Sequence, residues 1–110
     1  MRDDSLYLEH ILEAIERILE YTSAGREAFE ADLKTQDAVI RNLQVIGEAA
    51  KRVSDETRGR GPAVPWRNMT GLRDRVVHDY FGVSLTIVWD VVTNHLPPLR
   101  EQVRALRRKG

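Results

Sequence analysis

The chain has 110 residues, of which 42% are apolar and 31% are charged, and its formal net charge is zero. This length predicts one domain spanning residues 1–110, which buries roughly two thirds of the unfolded surface. The chain contains no cysteine, which excludes disulfides and thiolate metal sites. No apolar run approaches the roughly 18 residues of a membrane span, and the N-terminus lacks the apolar stretch of a signal peptide. We therefore expect a soluble, cytoplasmic protein with no membrane partner.

Charge is distributed unevenly between the two halves of the chain. Residues 1–57 hold seven basic and thirteen acidic side chains, whereas residues 58–110 hold ten basic and four acidic ones. One interpretation is unevenly placed surface charge on a helical protein. The other is that the second half binds phosphate, as nucleic acid or nucleotide.

The first predicted element is a long amphipathic helix. Asp3, Asp4 or Ser5 is a candidate N-cap, and Gly25 lies just beyond the predicted end. Its inward stripe consists of Leu6, Ile11, Leu12, Ile15, Ile18 and Leu19.

The polar stretch 26–33 follows, which we predict to be a loop or short turn with Phe29 as its apolar anchor. A second long helix then begins, with Thr35 or Asp37 as a candidate cap. We expect it to run antiparallel to the first. Its inward stripe consists of Val39, Leu43, Ile46, Ala50 and Val53.

Three further helices are predicted in the second half. Residues 59–62 break the chain, Pro65 is suited to begin the third helix, and Gly82 to end it. Ser84 is a good cap for the fourth helix, and the prolines at 97–98 can stop that helix and start the fifth. The inner faces are Met69, Leu72 and Val76, then Leu85, Val88, Trp89 and Val92, then Leu99, Val103 and Leu106. The fold class is therefore all-α, a small antiparallel bundle of four to five helices.

The most informative motif is Arg73-x4-His78-x-Tyr80, near the end of the third predicted helix. Cleavage of RNA without a metal needs a group that deprotonates the 2′-hydroxyl and one that protonates the leaving 5′-oxygen. Histidine suits both tasks near neutral pH, and arginine presents a fork of donors to the phosphate. Tyr80 adds a hydroxyl that can be chemically modified.

Helical spacing constrains how this motif can act. Positions 73 and 80 lie within about 20° of each other around a regular helix, whereas positions 73 and 78 lie about 140° apart. Arg73 and His78 converge only if the helix loosens near Gly82, or if a second copy of the chain supplies one of them. An arginine and a histidine at this spacing also occur by chance in many helices, so the residues alone leave catalysis open.

The second predicted helix contains three further candidate residues: Arg41, Gly47 and Glu48. Glycine inside a helix costs about 1 kcal/mol relative to alanine, so Gly47 suggests a backbone packed close by, within the subunit or across a dimer. Arg41 and Glu48 are seven residues apart and share a face, as part of a cleft wall or a solvated surface. His10 and His95 lack partners at metal-ligand spacing, so we expect no metal site.

The chain resembles the HepT-like toxins of the HEPN superfamily. The resemblance covers nearly the whole chain, and Arg73, Asp74, His78 and Tyr80 match the family's Arg-x4-His-x-Tyr motif, including the polar residue after the arginine. The blocks that carry it are residues 36–43, 45–51, 64–67, 73–82, 87–89 and 96–99.

The resemblance implies a homodimer whose motif lines a cleft between subunits. It implies a metal-independent endoribonuclease that needs no cofactor, acts on RNA as a toxin, and uses Arg73 and His78 with Asp74 in support. It further implies an antitoxin partner, a nucleotidyltransferase of the MntA type, which neutralises the toxin by transferring AMP from ATP to Tyr80.

Two hypotheses from different classes are left. The chain is either a ribonuclease toxin or a non-catalytic helical partner that serves as the substrate-binding subunit of a nucleotidyltransferase. Both need the dimer and the polar cleft, but only the first needs His78 as an acid or base. The intact motif favours the ribonuclease.

Overall fold

The structure, a computed structural model, describes residues 4–78 and 84–109, and describes side-chain surroundings for residues 4–72 and 84–108. The described residues contain no strand and form seven α-helices and one π-helical turn. In chain order these are α1 (Ser5–Tyr21), α2 (Arg26–Ala31), α3 (Leu33–Arg52), α4 (Asp55–Arg60), α5 (Trp66–His78), α6 (Leu85–Asp90), the π turn (Val91–His95) and α7 (Leu96–Lys109). The predicted all-α class is confirmed.

Helix α1 buries most of the stripe that its sequence predicts. Ile11, Ile15 and Ile18 are fully buried and Leu12 nearly so, because the 3.6-residue period places them on one face. Leu6 is 54% exposed, so its assignment to the inner face was wrong. Leu8, a position that the pattern passed over, is buried instead.

Asp4 occupies the N-cap position of α1, but its side chain makes no capping hydrogen bond to α1. Its carboxylate instead accepts hydrogen bonds from the Ser54 backbone N–H at 3.0 Å, the Ser54 hydroxyl at 2.5 Å and the Thr57 hydroxyl at 2.7 Å. These contacts join the start of α1 to the residues just beyond α3. The two helices therefore run antiparallel, as the sequence predicts.

The stretch 26–33 is more ordered than predicted. Residues 26–31 form helix α2, whose Phe29 is 1% exposed and packs its ring 5.5 Å from that of Trp89. Gly25 precedes this helix with a φ of 100°, a conformation that favours glycine. The predicted anchor role of Phe29 is confirmed, and the predicted loop is a helix.

Helix α3 is capped by Asp32 and not by Thr35 or Asp37. The Asp32 carboxylate accepts from the Lys34 backbone N–H at 3.1 Å and from the Thr35 hydroxyl at 2.7 Å. The bond from Thr35 is the main reason that the pKa of Asp32 lies below its ordinary value. This cap is therefore complete above the ordinary carboxyl pKa, and its contribution is lost as the pH falls through the lowered pKa.

The predicted inner face of α3 is confirmed in full. Val39, Leu43, Ile46, Ala50 and Val53 are each no more than 3% exposed, and this face packs against α1 and α5. Gly47 is also buried on α3.

The predicted break at residues 59–62 begins later than expected. Residues 55–60 form helix α4, capped by Ser54, and Gly61 ends it. Arg58 donates to the Ala50 carbonyl at 2.8 Å and lies 5.9 Å above the Trp66 ring, whose indole N–H donates to the Gly61 carbonyl at 3.0 Å. The start of α5 thus lies beside the end of α3, and these helices are also antiparallel. Pro65 immediately precedes α5 instead of being its first residue.

The C-terminal third forms one helical run with a π turn in the middle. Ser84 caps α6 as predicted, because its hydroxyl accepts from the Ile87 N–H at 3.3 Å. The prolines at 97–98 lie in the first turn of α7, where missing N–H groups cost little, so they do not end the preceding helix. Met69, Val88, Val92, Leu99, Val103 and Leu106 are buried as predicted, and Leu72, Leu85 and Trp89 are partly buried. The predicted roles of Val76 and Gly82 fall outside what the structure describes.

No described helix is long and apolar enough to cross a bilayer.

Candidate active site

The residues of the predicted motif fall on the last turns of α5 and just beyond it. The backbone is α-helical through Arg73, Asp74 and His78. The side chains of these three residues, and Tyr80 altogether, lie outside the described part of the structure. Their placement therefore rests on the helical register of α5.

That register places positions 73 and 78 on different faces. Position 73 follows Met69 by four residues and lies about 40° from it, and Met69 is buried in the core. Position 78 follows Gly71 by seven residues and lies about 20° from it. Because α5 is α-helical from position 73 to position 78, it does not loosen between them, and one copy of the helix leaves them about 140° apart.

A groove of about 560 Å³ lies between α5 on one side and the π turn with the start of α7 on the other. We call it the α5–α7 groove. Its apolar part consists chiefly of Met69, Leu72, Val91, Leu96 and Leu99. This apolar part forms a rigid floor of the groove, because three of its residues also belong to the hydrophobic core: Met69, Leu96 and Leu99.

The polar part of the α5–α7 groove is formed by Arg67, Asn68, His95 and Gln102. Arg67 and Asn68 are exposed on the first turn of α5, and Gln102 is half-buried on α7. No carboxylate is among the described residues that line the groove. Its chemistry therefore suits an anionic ligand that has an apolar face and hydrogen-bonding edges.

Gly71 lies between these polar residues and position 78, on the wall of the groove. A Cβ atom built on Gly71 meets no heavy atom within 4 Å. By register it shares its face of α5 with positions 67 and 78. The face of α5 that contains position 78 is thus open at Gly71.

The π turn forms part of the same groove. The imidazole of His95 lies 3.3 Å from the Asp90 carboxylate, five residues earlier, and the Thr93 hydroxyl donates to the Trp89 carbonyl. Short π segments inside α-helices are frequent at functional sites. His95 does not end a helix, because the helical run continues from the π turn into α7.

Arg41 and Glu48 are both exposed on α3. Glu48 lines a shallow depression of about 250 Å³ between α1 and α3, together with Tyr7, His10 and Arg52, whereas Arg41 does not line it. Their assignment to a cleft wall is still a prediction.

Part of the positive charge of the second half is paired with carboxylates of the first half. Arg100 and Arg104 on α7 contact Glu16 on α1 at 3.4 and 3.1 Å, and Arg107 contacts Glu9 at 4.0 Å. This order of contacts makes α1 and α7 antiparallel. These three arginines are therefore less available for phosphate than the charge asymmetry of the sequence suggests.

Within the described residues, no three His, Cys, Asp or Glu side chains are grouped so that they could hold a metal ion. Sequence reasoning missed Asn68, Gly71 and Gln102 as candidate site residues. Of these three residues, only Gly71 could have been noticed in the sequence, because a glycine is unusual inside a predicted helix.

Comparison with known proteins identifies the family of the chain. The family Ribonuclease HepT-like matches residues 11–106, a range that contains every position of the motif. A protein of Thermococcus cleftensis named Probable ribonuclease HepT is 44% identical over 103 residues, which are 93% of this chain and 94% of that protein.

Two further relatives are provisionally named as RNases. One, from Methanocaldococcus jannaschii, is 42% identical over 87% of this chain and 80% of its own length. Another, from Caldanaerobacter subterraneus subsp. tengcongensis, is 36% identical over 99% of this chain and 98% of its own length. No solved structure matches the chain. A family match from α1 to α7 and identities of this size over nearly full length place the chain in the ribonuclease HepT-like family of the HEPN superfamily.

Proposed function

We propose that this protein is a metal-independent endoribonuclease that acts as the toxin of a toxin–antitoxin pair. The observation that carries the proposal is membership of the ribonuclease HepT-like family together with an intact Arg73-x4-His78 motif on α5. The groove beside α5 also suits RNA, because its described lining residues supply a cationic and amide rim and no carboxylate.

His78 and Arg73 divide the chemistry between them. His78 of one subunit accepts the proton of the 2′-hydroxyl, whose oxygen attacks the adjacent phosphorus and closes a 2′,3′-cyclic phosphate. The bond to the 5′-oxygen breaks, and that oxygen takes a proton from the protonated His78 of the second subunit. The Arg73 guanidinium binds the phosphate oxygens as their charge increases, and Asp74 supports its position.

The geometry of α5 supports a homodimer. Positions 73 and 78 lie on different faces of one regular helix, so a cleft between two copies brings an arginine of one subunit to a histidine of the other. A two-fold axis supplies both an acid and a base from one motif.

Neutralisation is proposed to act on Tyr80. The phenol oxygen attacks the α-phosphorus of ATP, bound by a nucleotidyltransferase antitoxin of the MntA type. Pyrophosphate leaves, and the phenol proton passes to a base. The resulting phosphodiester places a negative charge in a cleft that must admit RNA phosphate, and cleavage stops.

The decisive experiment compares the wild-type protein with His78→Ala on a labelled RNA, with and without EDTA. Wild-type activity is expected to survive EDTA, and His78→Ala is expected to lose at least about 100-fold in rate, the usual contribution of a general acid or base. His10→Ala, an exposed histidine on α1, is the matched control and should cleave normally.

Cleavage by His78→Ala at the wild-type rate, or a strict need for Mg²⁺, would contradict the mechanism. An inactive wild-type protein that still binds its nucleotidyltransferase would instead support the non-catalytic partner.

A further inference from the structure

Gly71 is an unusual choice of residue for its position. It lies inside α5, where glycine costs about 1 kcal/mol relative to alanine. Packing within the described chain does not require it, since a Cβ atom at this position meets nothing within 4 Å. A glycine that internal packing does not explain is typical of a backbone that a ligand approaches closely.

The surroundings of Gly71 indicate what kind of ligand this is. The α5–α7 groove has an apolar floor that includes Met69 and Leu96. Its rim carries the Arg67 guanidinium and the amides of Asn68 and Gln102. Its volume of about 560 Å³ lies in the range of small-molecule sites. A nucleobase has an apolar face, which packs between apolar side chains, and an edge that amides recognise.

A second copy of the chain fits this surface less well. A second copy that laid this groove against its own counterpart would bring two cationic rims into one interface, and no carboxylate among the described lining residues would compensate for the repulsion. Single-stranded RNA instead supplies the negative charge itself.

Position 78 lies close to this groove along the helix. It follows Gly71 by seven residues, which is about 10 Å along the axis, and falls within about 20° of it. A strand whose phosphate reaches position 78 can therefore place a neighbouring base against Gly71.

We propose that the α5–α7 groove is a nucleobase-binding subsite for single-stranded RNA. One nucleobase packs against the Gly71 backbone and the apolar floor of the groove, and Asn68 and Gln102 contact the edge of that nucleobase. Arg67 binds a flanking phosphate. This subsite rests on the proposed ribonuclease function and determines which nucleotide lies beside the cleaved bond. Asn68 and Gln102 are then specificity-determining residues.

The test is binding of a short, mixed-sequence 2′-O-methyl RNA, followed by fluorescence anisotropy. This probe cannot be cleaved, because it has no free 2′-hydroxyl. Gly71→Leu fills the groove and is expected to weaken binding about 5- to 150-fold, the range for losing one stacked base. The matched control is Gly59→Leu on α4, where a Cβ atom also meets nothing within 4 Å, and it should bind as the wild type does.

Two further readouts separate a subsite from a general loss of structure. Arg67→Ala should lower the slope of log affinity against log salt by about 0.7, the value for one phosphate contact on a single strand, whereas the exposed Arg17→Ala should not change it. Asn68→Ala combined with Gln102→Ala should change the preferred cleavage sequence, and Asn94→Ala, an exposed amide outside the groove, should not. This double variant decides the matter if Gly71→Leu does not fold.

The outcomes distinguish this proposal from the ribonuclease itself. Normal binding and cleavage preference in all groove variants would overturn the subsite and leave the ribonuclease intact. A wild-type protein that binds the probe but cleaves no RNA would contradict the ribonuclease, while loss of binding in Gly71→Leu would still support the subsite. A change from dimer to monomer in the groove variants, with unchanged RNA affinity per chain, would mean that a second copy occupies the groove.

Discussion

Single residues of α5 divide into two groups with different tasks. Positions 73 and 78 carry the groups that the proposed chemistry needs, and Arg67, Asn68 and Gly71 line the surface beside them. Replacing arginine by lysine at position 73 keeps the charge but loses the bidentate fork, so such a change is not conservative here. Tyr80, the proposed site of modification, has a third task in this proposal.

Tyr80→Phe removes the acceptor oxygen for AMP and keeps the aromatic ring. After incubation with the nucleotidyltransferase and ATP, intact-mass spectrometry should show an AMP adduct on the wild-type protein and none on Tyr80→Phe. Tyr21→Phe, at an exposed tyrosine of α1, should be labelled like the wild type. Equal labelling of Tyr80→Phe, or an adduct on another residue, would contradict the assignment.

Elements are joined at their ends by a few buried polar contacts. Asp4 is 5% exposed and accepts hydrogen bonds from Ser54 and Thr57, so one carboxylate ties the start of α1 to α4 and its cap. A second close contact lies at Gly61, where a Cβ atom would come within 2.8 Å of the Leu106 side chain on α7. Both contacts are between residues far apart in the chain.

Asp4→Ala should lower the free energy of unfolding by about 1–3 kcal/mol, because it leaves the buried donors of Ser54 and Thr57 without their acceptor. Urea unfolding followed by circular dichroism measures the change. Asp37→Ala, an exposed aspartate on α3, is the control and should change the free energy by no more than about 0.5 kcal/mol. Equal effects of the two substitutions would show that the Asp4 contacts do not stabilise the fold.

At the scale of the whole molecule, opposite charges on α1 and α7 meet along one seam. Surface pairs such as Glu16 with Arg104 each contribute little, about 0.2–1 kcal/mol, so the seam sets the alignment of the two helices more than the stability. It also reduces the cationic surface that is free to bind RNA. The α5 face thereby becomes the better candidate for the RNA-binding surface.

The protein should be a homodimer, since one regular α5 leaves positions 73 and 78 about 140° apart. Sedimentation equilibrium at micromolar concentration should give about twice the chain mass of 12.6 kDa. Mixing wild-type protein with an excess of His78→Ala should lower the activity per wild-type chain, because each mixed dimer keeps only one of the two histidines that the mechanism uses as acid and base. A monomer with full activity, or unchanged activity per wild-type chain on mixing, would contradict the shared cleft.

Local periodicity was enough to predict much of this protein. The stripes of α1 and α3, the Ser84 cap and the all-α class follow from the 3.6-residue repeat and from short-range hydrogen bonding, both of which are local properties of the sequence. The functional motif at positions 73–80 was inferred from residue types and spacing, and it stays a prediction. Leu6 and the caps at Thr35 and Asp37 were predicted incorrectly, because several neighbouring residues fit the same local pattern equally well.

Contacts between distant residues decided the rest. Asp4 resembles an ordinary helix cap until Ser54, fifty residues away, is placed beside it. The ion pairs between α1 and α7 show that part of the charge asymmetry is paired within the fold. The π turn continues the helical run into α7, although the two prolines at 97–98 suggested that the fourth predicted helix stops there. The α5–α7 groove exists because tertiary packing places α7 beside Gly71, and no periodicity in either segment contains that information.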